Sequence, residues 1–262
     1  MRKYIALASS QMKLEMAYAA WYWASMFSVT MRLFILYFFW SAVYENKAEV
    51  SGIGLSTMLT YVVLATMIDQ FRGGAGRELA QLIKQGGVAI ELLRPYHLLD
   101  KLFAQDIGTK TSVFFRATMP LVIMSYFVFE LDGPVSRSAG VAFIISLIFA
   151  VLLATAIDLL IGTLAFWTVN IWGLAVLQEA LITILSGAIV PIVLFPEWFQ
   201  EASRYMPFAS LVYVPVGIYT GQIGGNGIMS SIMIQSGWVV LFFLATRWIY
   251  SIAVRKVTVF GG

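Results

Sequence analysis

The sequence contains no cysteine and a single histidine, His97, among its 262 residues. The absence of cysteine excludes a disulfide framework, a thiol nucleophile and a thiolate metal site, and one histidine does not supply a histidine-rich metal centre. Charged residues are also scarce, at 12% of the chain, whereas a soluble domain has about 25%. Hydrophobic residues make up 60% of the chain, and the mean hydropathy is +0.83. This composition excludes an ordinary soluble domain and indicates a membrane protein.

The apolar residues fall into blocks of about 20, the length that a helix needs to cross a hydrocarbon core about 30 Å thick. Strands of a membrane barrel would alternate in polarity, but residues 147–153 and 241–244 are apolar on every side. We therefore predict an all-α polytopic membrane protein that forms one transmembrane domain over residues 1–262. The six predicted spans are 21–44, 53–71, 111–129, 138–168, 174–195 and 231–253.

The basic residues are distributed unequally between the two sides of these spans. With the N-terminus inside, thirteen of the 17 Lys and Arg residues lie in cytoplasmic segments or at the cytoplasmic ends of spans, three lie outside, and Arg32 lies deep within a span. Such a bias sets the orientation of a membrane protein. It predicts both termini in the cytoplasm and explains the net charge of +3 without a nucleic-acid partner.

Three segments lie outside the predicted spans. Residues 1–20 are basic and amphipathic, which predicts an interfacial helix. Residues 72–110 form the long polar segment on the cytoplasmic side. Residues 196–227 are rich in proline and glycine, which predicts short or re-entrant helices on the outer side, before the last span.

Within the cytoplasmic segment, helical stretches are interrupted at Gly86-Gly87 and end at Arg94-Pro95. In the second stretch Val88, Leu92 and, more loosely, Leu93 fall on one helical face. A short amphipathic helix of this kind can lie on the membrane surface or in the groove of a partner protein. The residues alone leave both interpretations open.

Five short motifs carry a family resemblance. GVAIELLRP at 87–95 follows the second span, SGAIVP at 186–191 is followed by FPEWF at 195–199, and MPF at 206–208 and PVGIYTG at 215–221 precede the last span. In this order, over nearly the whole chain, they resemble permeases of the ABC type 2 exporter family. The likeness is greatest to bacterial half-sized permeases whose ATPase is encoded separately.

This resemblance implies roles for the segments outside the spans. Residues 1–20 would be the connector helix along the inner leaflet, and 196–227 the short extracellular helices. The helix between the second and third spans would be the coupling helix that docks on the ATPase. Its candidate coupling residues are Gly87, Glu91, Leu92, Leu93, Arg94 and Pro95.

The resemblance also implies partners: two ABC ATPase subunits and a second copy of this permease or a related one, in the bacterial inner membrane. The sequence has no G-x-x-x-x-G-K-[ST] phosphate loop, and the glycine cluster at 221–227 lacks its lysine. We therefore expect ATP and Mg²⁺ on a separate ATPase chain, and no cofactor, metal or catalytic residue on this one.

Two ionisable residues lie deep within predicted spans, where each costs about 2.5–3.5 kcal/mol. Arg32 in the first span and Asp158 in the fourth are both about 15 Å from a membrane boundary at 1.5 Å per residue. Equal depth permits a buried ion pair between them, with Glu179 as an alternative partner. Such a pair could fix helix packing or contact substrate.

The sequence thus favours a permease subunit of an ATP-driven exporter for a small hydrophobic or cationic compound, a peptide or a lipid. The alternative is an ion-coupled secondary transporter or another stand-alone membrane protein. Ion coupling favours several acidic residues near the midplane, and only Asp158 clearly lies there. An intramembrane enzyme would need a nucleophile, base or metal constellation, and the sequence shows none.

Overall fold

The computed structural model describes residues 2–17, 19–129, 131–168 and 170–255, which are mostly helical. Four helices in this part are long and apolar enough to cross a membrane: Tyr22–Tyr44, Leu98–Phe129, Arg137–Thr168 and Asn226–Val254. Two shorter apolar helices, Leu55–Asp69 and Trp172–Leu185, accompany them. The predicted all-α polytopic class is confirmed.

The elements follow one another with short connections. The helices are α1 (Arg2–Ala17), α2 (Ala19–Tyr44), α3 (Leu55–Asp69), α4 (Ala75–Lys84), α5 (Val88–Leu92), α6 (Leu98–Val113), α7 (Met119–Phe129), α8 (Arg137–Thr163), α9 (Ala165–Thr168), α10 (Trp172–Leu185), α11 (Glu197–Ser203), α12 (Tyr213–Thr220) and α13 (Asn226–Val254). A π-helical segment, Phe114–Thr118, joins α6 to α7, and 3-10 turns cover Ile192–Leu194 and Ala209–Leu211. The strands β1 (Glu49–Val50) and β2 (Ile53–Gly54) form an antiparallel pair between α2 and α3.

Helix α3 occupies the centre of the fold. Most of its residues are buried, among them Met58, Tyr61 and Ala65, and it packs against α2, α7 and α12. The Tyr61 hydroxyl donates a hydrogen bond to the Gly187 carbonyl at 2.8 Å. A helix that is apolar all round belongs inside a bundle, whereas α2 exposes aromatic side chains such as Phe27, as expected of a lipid-facing helix.

Two predicted boundaries are wrong. The third membrane helix begins at Leu98 rather than at residue 111, so residues 98–110 of the predicted cytoplasmic loop are helical. Two of their charged residues, Lys110 and Asp106, are buried and pair with each other. The fifth ends at Leu185 rather than at residue 195, because Gly187 adopts a positive φ of 77° and turns the chain.

Two of the segments predicted to lie outside the spans, residues 1–20 and 196–227, contain helices as expected. Helix α1 packs along α6 so closely that a Cβ on Gly108 would lie 2.2 Å from the Ala8 carbonyl oxygen. Residues 196–227 contain the short helices α11 and α12, and Gly221, with φ of 81°, ends α12. Their positions relative to a membrane stay predictions.

Candidate functional site

The predicted coupling segment, Gly87–Pro95, contains a short helix with an apolar outer surface. In α5, Val88 points inward and is 3% exposed, in a buried cluster with Leu98. Ile90 and Leu93 are exposed, and Leu92 is partly so. The predicted apolar face of Val88, Leu92 and Leu93 is not one continuous surface, because Val88 packs inside the protein whereas Leu92 and Leu93 are exposed.

The ends of this segment are fixed by the backbone. Gly86 adopts a positive φ of 73° in the turn after α4, a conformation that glycine adopts without strain. Gly87 is the N-cap residue of α5, and its amide donates a hydrogen bond to the Leu82 carbonyl at 2.9 Å. At the other end the Pro95 carbonyl accepts a hydrogen bond from the Lys3 ammonium group of α1, at 2.7 Å. The segment is thus tied to the N-terminal helix.

Glu91 holds the turn between α5 and α6. It is 8% exposed and accepts hydrogen bonds from Lys101 Nζ and the Tyr96 hydroxyl, both at 2.8 Å. Arg94 lies 3.6 Å away as a further ion-pair partner. Burial alone would raise the pKa of Glu91, but these hydrogen bonds and cationic neighbours outweigh it, so the pKa is below its ordinary value. Glu91 therefore links α5 to the start of α6 through partly buried hydrogen bonds.

Replacing Glu91 with glutamine should destabilise the protein at pH 7 by about 1.5–3 kcal/mol, the usual value of hydrogen bonds to a charged group. Because the folded-state pKa is lowered, the stabilisation is complete above the unfolded-chain pKa of about 4.3. It is lost as the pH falls through the folded-state pKa. Chemical unfolding in mild detergent at several pH values should show the difference between wild type and E91Q closing in acid.

Glu78 on α4 provides a control of opposite sign. Burial raises the pKa of Glu78, and the nearby carboxylates Asp106 and Glu91 raise it further against the lowering effect of Lys101. Glu78→Gln should therefore stabilise the protein at pH 7, and this gain should shrink as the pH falls. A stability difference for E91Q that does not change with pH would contradict the assigned role of Glu91.

Helix α4, which leads to the coupling segment, is in backbone contact with α8. The Gly76 amide donates to Asp158 Oδ2 at 2.6 Å. A Cβ on Gly76 would lie 1.9 Å from the Asp158 carbonyl oxygen, and one on Gly162 would lie 2.4 Å from the Gly76 carbonyl oxygen. Asp158 thus satisfies an amide in the first turn of α4, where helix amides lack intrahelical partners and favour negative charge.

The predicted pair of Arg32 with Asp158 is wrong, as is its alternative with Glu179. Arg32 Nη1 lies 2.9 Å from Asp69 Oδ2, and Arg77 lies 3.5 Å from Glu179. Equal depth did not imply adjacency, because α2 packs along α3, which carries Asp69, whereas α8 packs on α4.

The structure nevertheless places both predicted acids, Asp158 and Glu179, at one cavity of about 240 Å³. Charged residues from α3, α4, α8, α10 and the α3–α4 linker line it: Asp69, Arg72, Arg77, Asp158 and Glu179. Arg72 also forms an ion pair with Asp69. Charged side chains of α4 therefore meet charged side chains of three apolar helices, α3, α8 and α10, around this cavity.

A buried polar cluster was missed by the sequence reasoning. Lys110, Asp106 and Thr155 are 6%, 4% and 0% exposed. Asp106 Oδ2 accepts from Lys110 Nζ at 2.5 Å and from the Thr155 hydroxyl at 2.7 Å. The available signal was the spacing of Asp106 and Lys110, four residues apart, which places opposite charges together on a helix. Among the described residues no group of acids and histidine could hold a metal ion.

Long apolar helices around a central buried helix, with charges paired inside the bundle, define a multi-pass α-helical membrane protein. The family model described as "ABC-2 family transporter protein" matches residues 30–261, and the chain belongs to this family. The resemblance to ABC type 2 permeases is confirmed, and membership implies an ABC ATPase partner. No curated protein matches the chain at a significant level.

Proposed function

We propose that this chain is the permease subunit of an ATP-driven exporter in the bacterial inner membrane, with both termini in the cytoplasm. Two permeases, identical or related, would associate with two ATPase subunits. ATP and Mg²⁺ would bind to the ATPases, while this chain binds no cofactor and provides the path. The cargo would be a small hydrophobic or cationic compound, a peptide or a lipid.

The observation that carries this proposal is the apolar surface of the segment Gly87–Pro95. Leu93 is 87% exposed and Ile90 63% exposed, beside the exposed Arg94. Apolar anchors of a short helix are what a partner's groove receives. Because Glu91 fixes the turn beneath them, the anchors are preorganised, which lowers the entropy lost on binding.

The contact between α4 and α8 supplies a route from the docked ATPase to the spans. A push on α5 reaches α4 through the turn at Gly86, and α4 is held to α8 by the Asp158–Gly76 hydrogen bond. Closure of the ATPases would thus displace α8. ATP drives this change only if the ATP-bound ATPases bind one permease conformation more tightly than the other.

Replacing Leu93 with aspartate should reduce the ATPase co-purified in mild detergent by more than about tenfold, a change of about 1.4 kcal/mol. A charge on the apolar surface would have to be desolvated in the partner's groove. The tagged chain is expressed from its native locus, and the ratio of ATPase to permease is quantified. Since Leu93 is exposed, the variant should fold normally.

Leu93→Met is the matched control, because it keeps an apolar side chain of similar volume and should retain the ATPase. Export is tested in inside-out vesicles, where ATP added outside should drive accumulation of cargo within. A chain that purifies alone and transports without ATP, in response to an ion gradient, would instead establish the stand-alone transporter.

A further inference from the structure

A second cavity, of about 430 Å³, has an unequal distribution of charge. It lies between the α1–α2 region, the α3–α4 linker and α6, separate from the coupling segment. Four basic side chains line it, together with one acidic side chain, Glu15. The basic residues are Arg72, Arg77, Lys110 and Arg116.

Three of the four cations have carboxylate partners that do not line this cavity. Arg72 pairs with Asp69, Arg77 with Glu179 and Lys110 with Asp106. These carboxylates are not among the residues that line the cavity, so the wall itself carries four cations and one acidic side chain. The wall that faces the cavity therefore favours an anion.

Arg116 differs from the other three cations. Its guanidinium donates to the Glu15 carbonyl and lies 4.6 Å from the centre of the Tyr22 ring. Within the part of the chain that the structure describes, it has no carboxylate partner. A guanidinium presents five donors suited to phosphate or carboxylate, and the carbonyl uses only part of this capacity.

Two further features point to a ligand at this place. The Gln70 side-chain nitrogen is buried and has no hydrogen-bond partner, although buried donors are nearly always satisfied. Arg116 also lies in the π-helical segment Phe114–Thr118, and π-helical turns within helices occur frequently at functional sites. Gln70 lines the cavity, and rotation of its side-chain amide would present this donor to an anionic oxygen there.

We propose that this cavity binds a phosphate-bearing anion, with Arg116 as its principal contact and Gln70 as a neutral donor. The phosphate can belong to a lipid headgroup, which the neighbouring apolar helices would accommodate, or to a soluble phosphate ester. The site rests on the geometry of this chain alone, and its test does not require export or an ATPase.

Binding is measured by the change in tryptophan fluorescence of the purified chain in a neutral detergent. The ligands are dihexanoyl-phosphatidylglycerol, glycerol phosphate and, as a zwitterionic comparison, dihexanoyl-phosphatidylcholine. We expect saturable binding of an anionic ligand that is weakened at least tenfold by Arg116→Gln and by added salt. Binding of phosphatidylglycerol alone identifies a lipid headgroup, and equal binding of glycerol phosphate identifies a soluble ester.

Arg137→Gln is the matched control, because Arg137 is exposed at the start of α8, away from the cavity; it should not change the affinity. Arg116→Lys should recover part of the binding. If R116Q does not yield monodisperse protein, Gln70→Met serves instead and should weaken binding severalfold. The proposal is overturned if phosphatidylcholine binds as tightly as the anions, or if folded R116Q, or Q70M in its place, binds like the wild type.

Discussion

Replacing Lys110 with methionine should lower the free energy of unfolding by about 3–5 kcal/mol, the usual cost of removing one partner from a buried ion pair. The Asp106 carboxyl group would stay buried between the helices without its cation, and the Thr155 hydroxyl would be its remaining hydrogen-bond partner among the described residues. Methionine retains most of the lysine stem, so the effect arises from charge rather than from a cavity. Denaturant unfolding of the purified chain in mild detergent measures the loss.

Lys110→Met combined with Asp106→Asn should recover most of that stability, because replacing both charged groups removes the unpaired charge. Lys47→Met is the matched control: Lys47 is exposed in the connection between α2 and α3, and a surface change of this kind stays within about 0.5 kcal/mol. A loss below about 1 kcal/mol for K110M would mean that water reaches the pair and that the cluster does not hold α6 to α8.

The helices could be predicted from the sequence because a bilayer requires long apolar segments with internally satisfied backbones. That requirement determines how deep each residue lies in the membrane, but it does not determine which helices pack side by side. Arg32 and Asp158 illustrate the limit, because their depths are similar but their partners differ. Arg32 pairs with Asp69 of α3, and the Asp158 carboxylate accepts a hydrogen bond from the Gly76 amide of α4. The pairing depends on which helices pack together.

Hydropathy also failed where charges neutralise one another. Residues 98–110 appeared to belong to a polar loop because a hydropathy pattern counts Asp106 and Lys110 separately, whereas the folded chain buries them as a pair. In the predicted coupling segment, the glycine break and the Arg94-Pro95 stop predicted where the helix is interrupted and where it ends. They could not show that Glu91 faces inward, because its partner Lys101 lies on the next helix.

Replacing Gly76 with leucine should break the contact between α4 and α8 and uncouple the permease from its ATPase. Even a Cβ at this position would meet the Asp158 backbone, so the helices must separate and the Gly76–Asp158 hydrogen bond must lengthen or break. Overpacking of this kind costs typically 1–3 kcal/mol. We expect the unfolding midpoint in detergent to fall, and ATP-driven transport in vesicles to fall by more than tenfold in protein that remains folded.

The proposed docking surface around Leu93 lies outside this contact, so the Gly76→Leu variant should still co-purify with the ATPase. Binding without transport separates transmission of force from docking, which Leu93→Asp removes. Gly237→Ala in α13 is the matched control: nothing lies within 4 Å of an added Cβ there. Alanine in a helix interior stabilises by roughly 0.5–1 kcal/mol over glycine. If G76L transports at the wild-type rate while it remains bound to the ATPase, force reaches the spans by another route, and the nearest candidate is α1, which contacts the Pro95 carbonyl through Lys3.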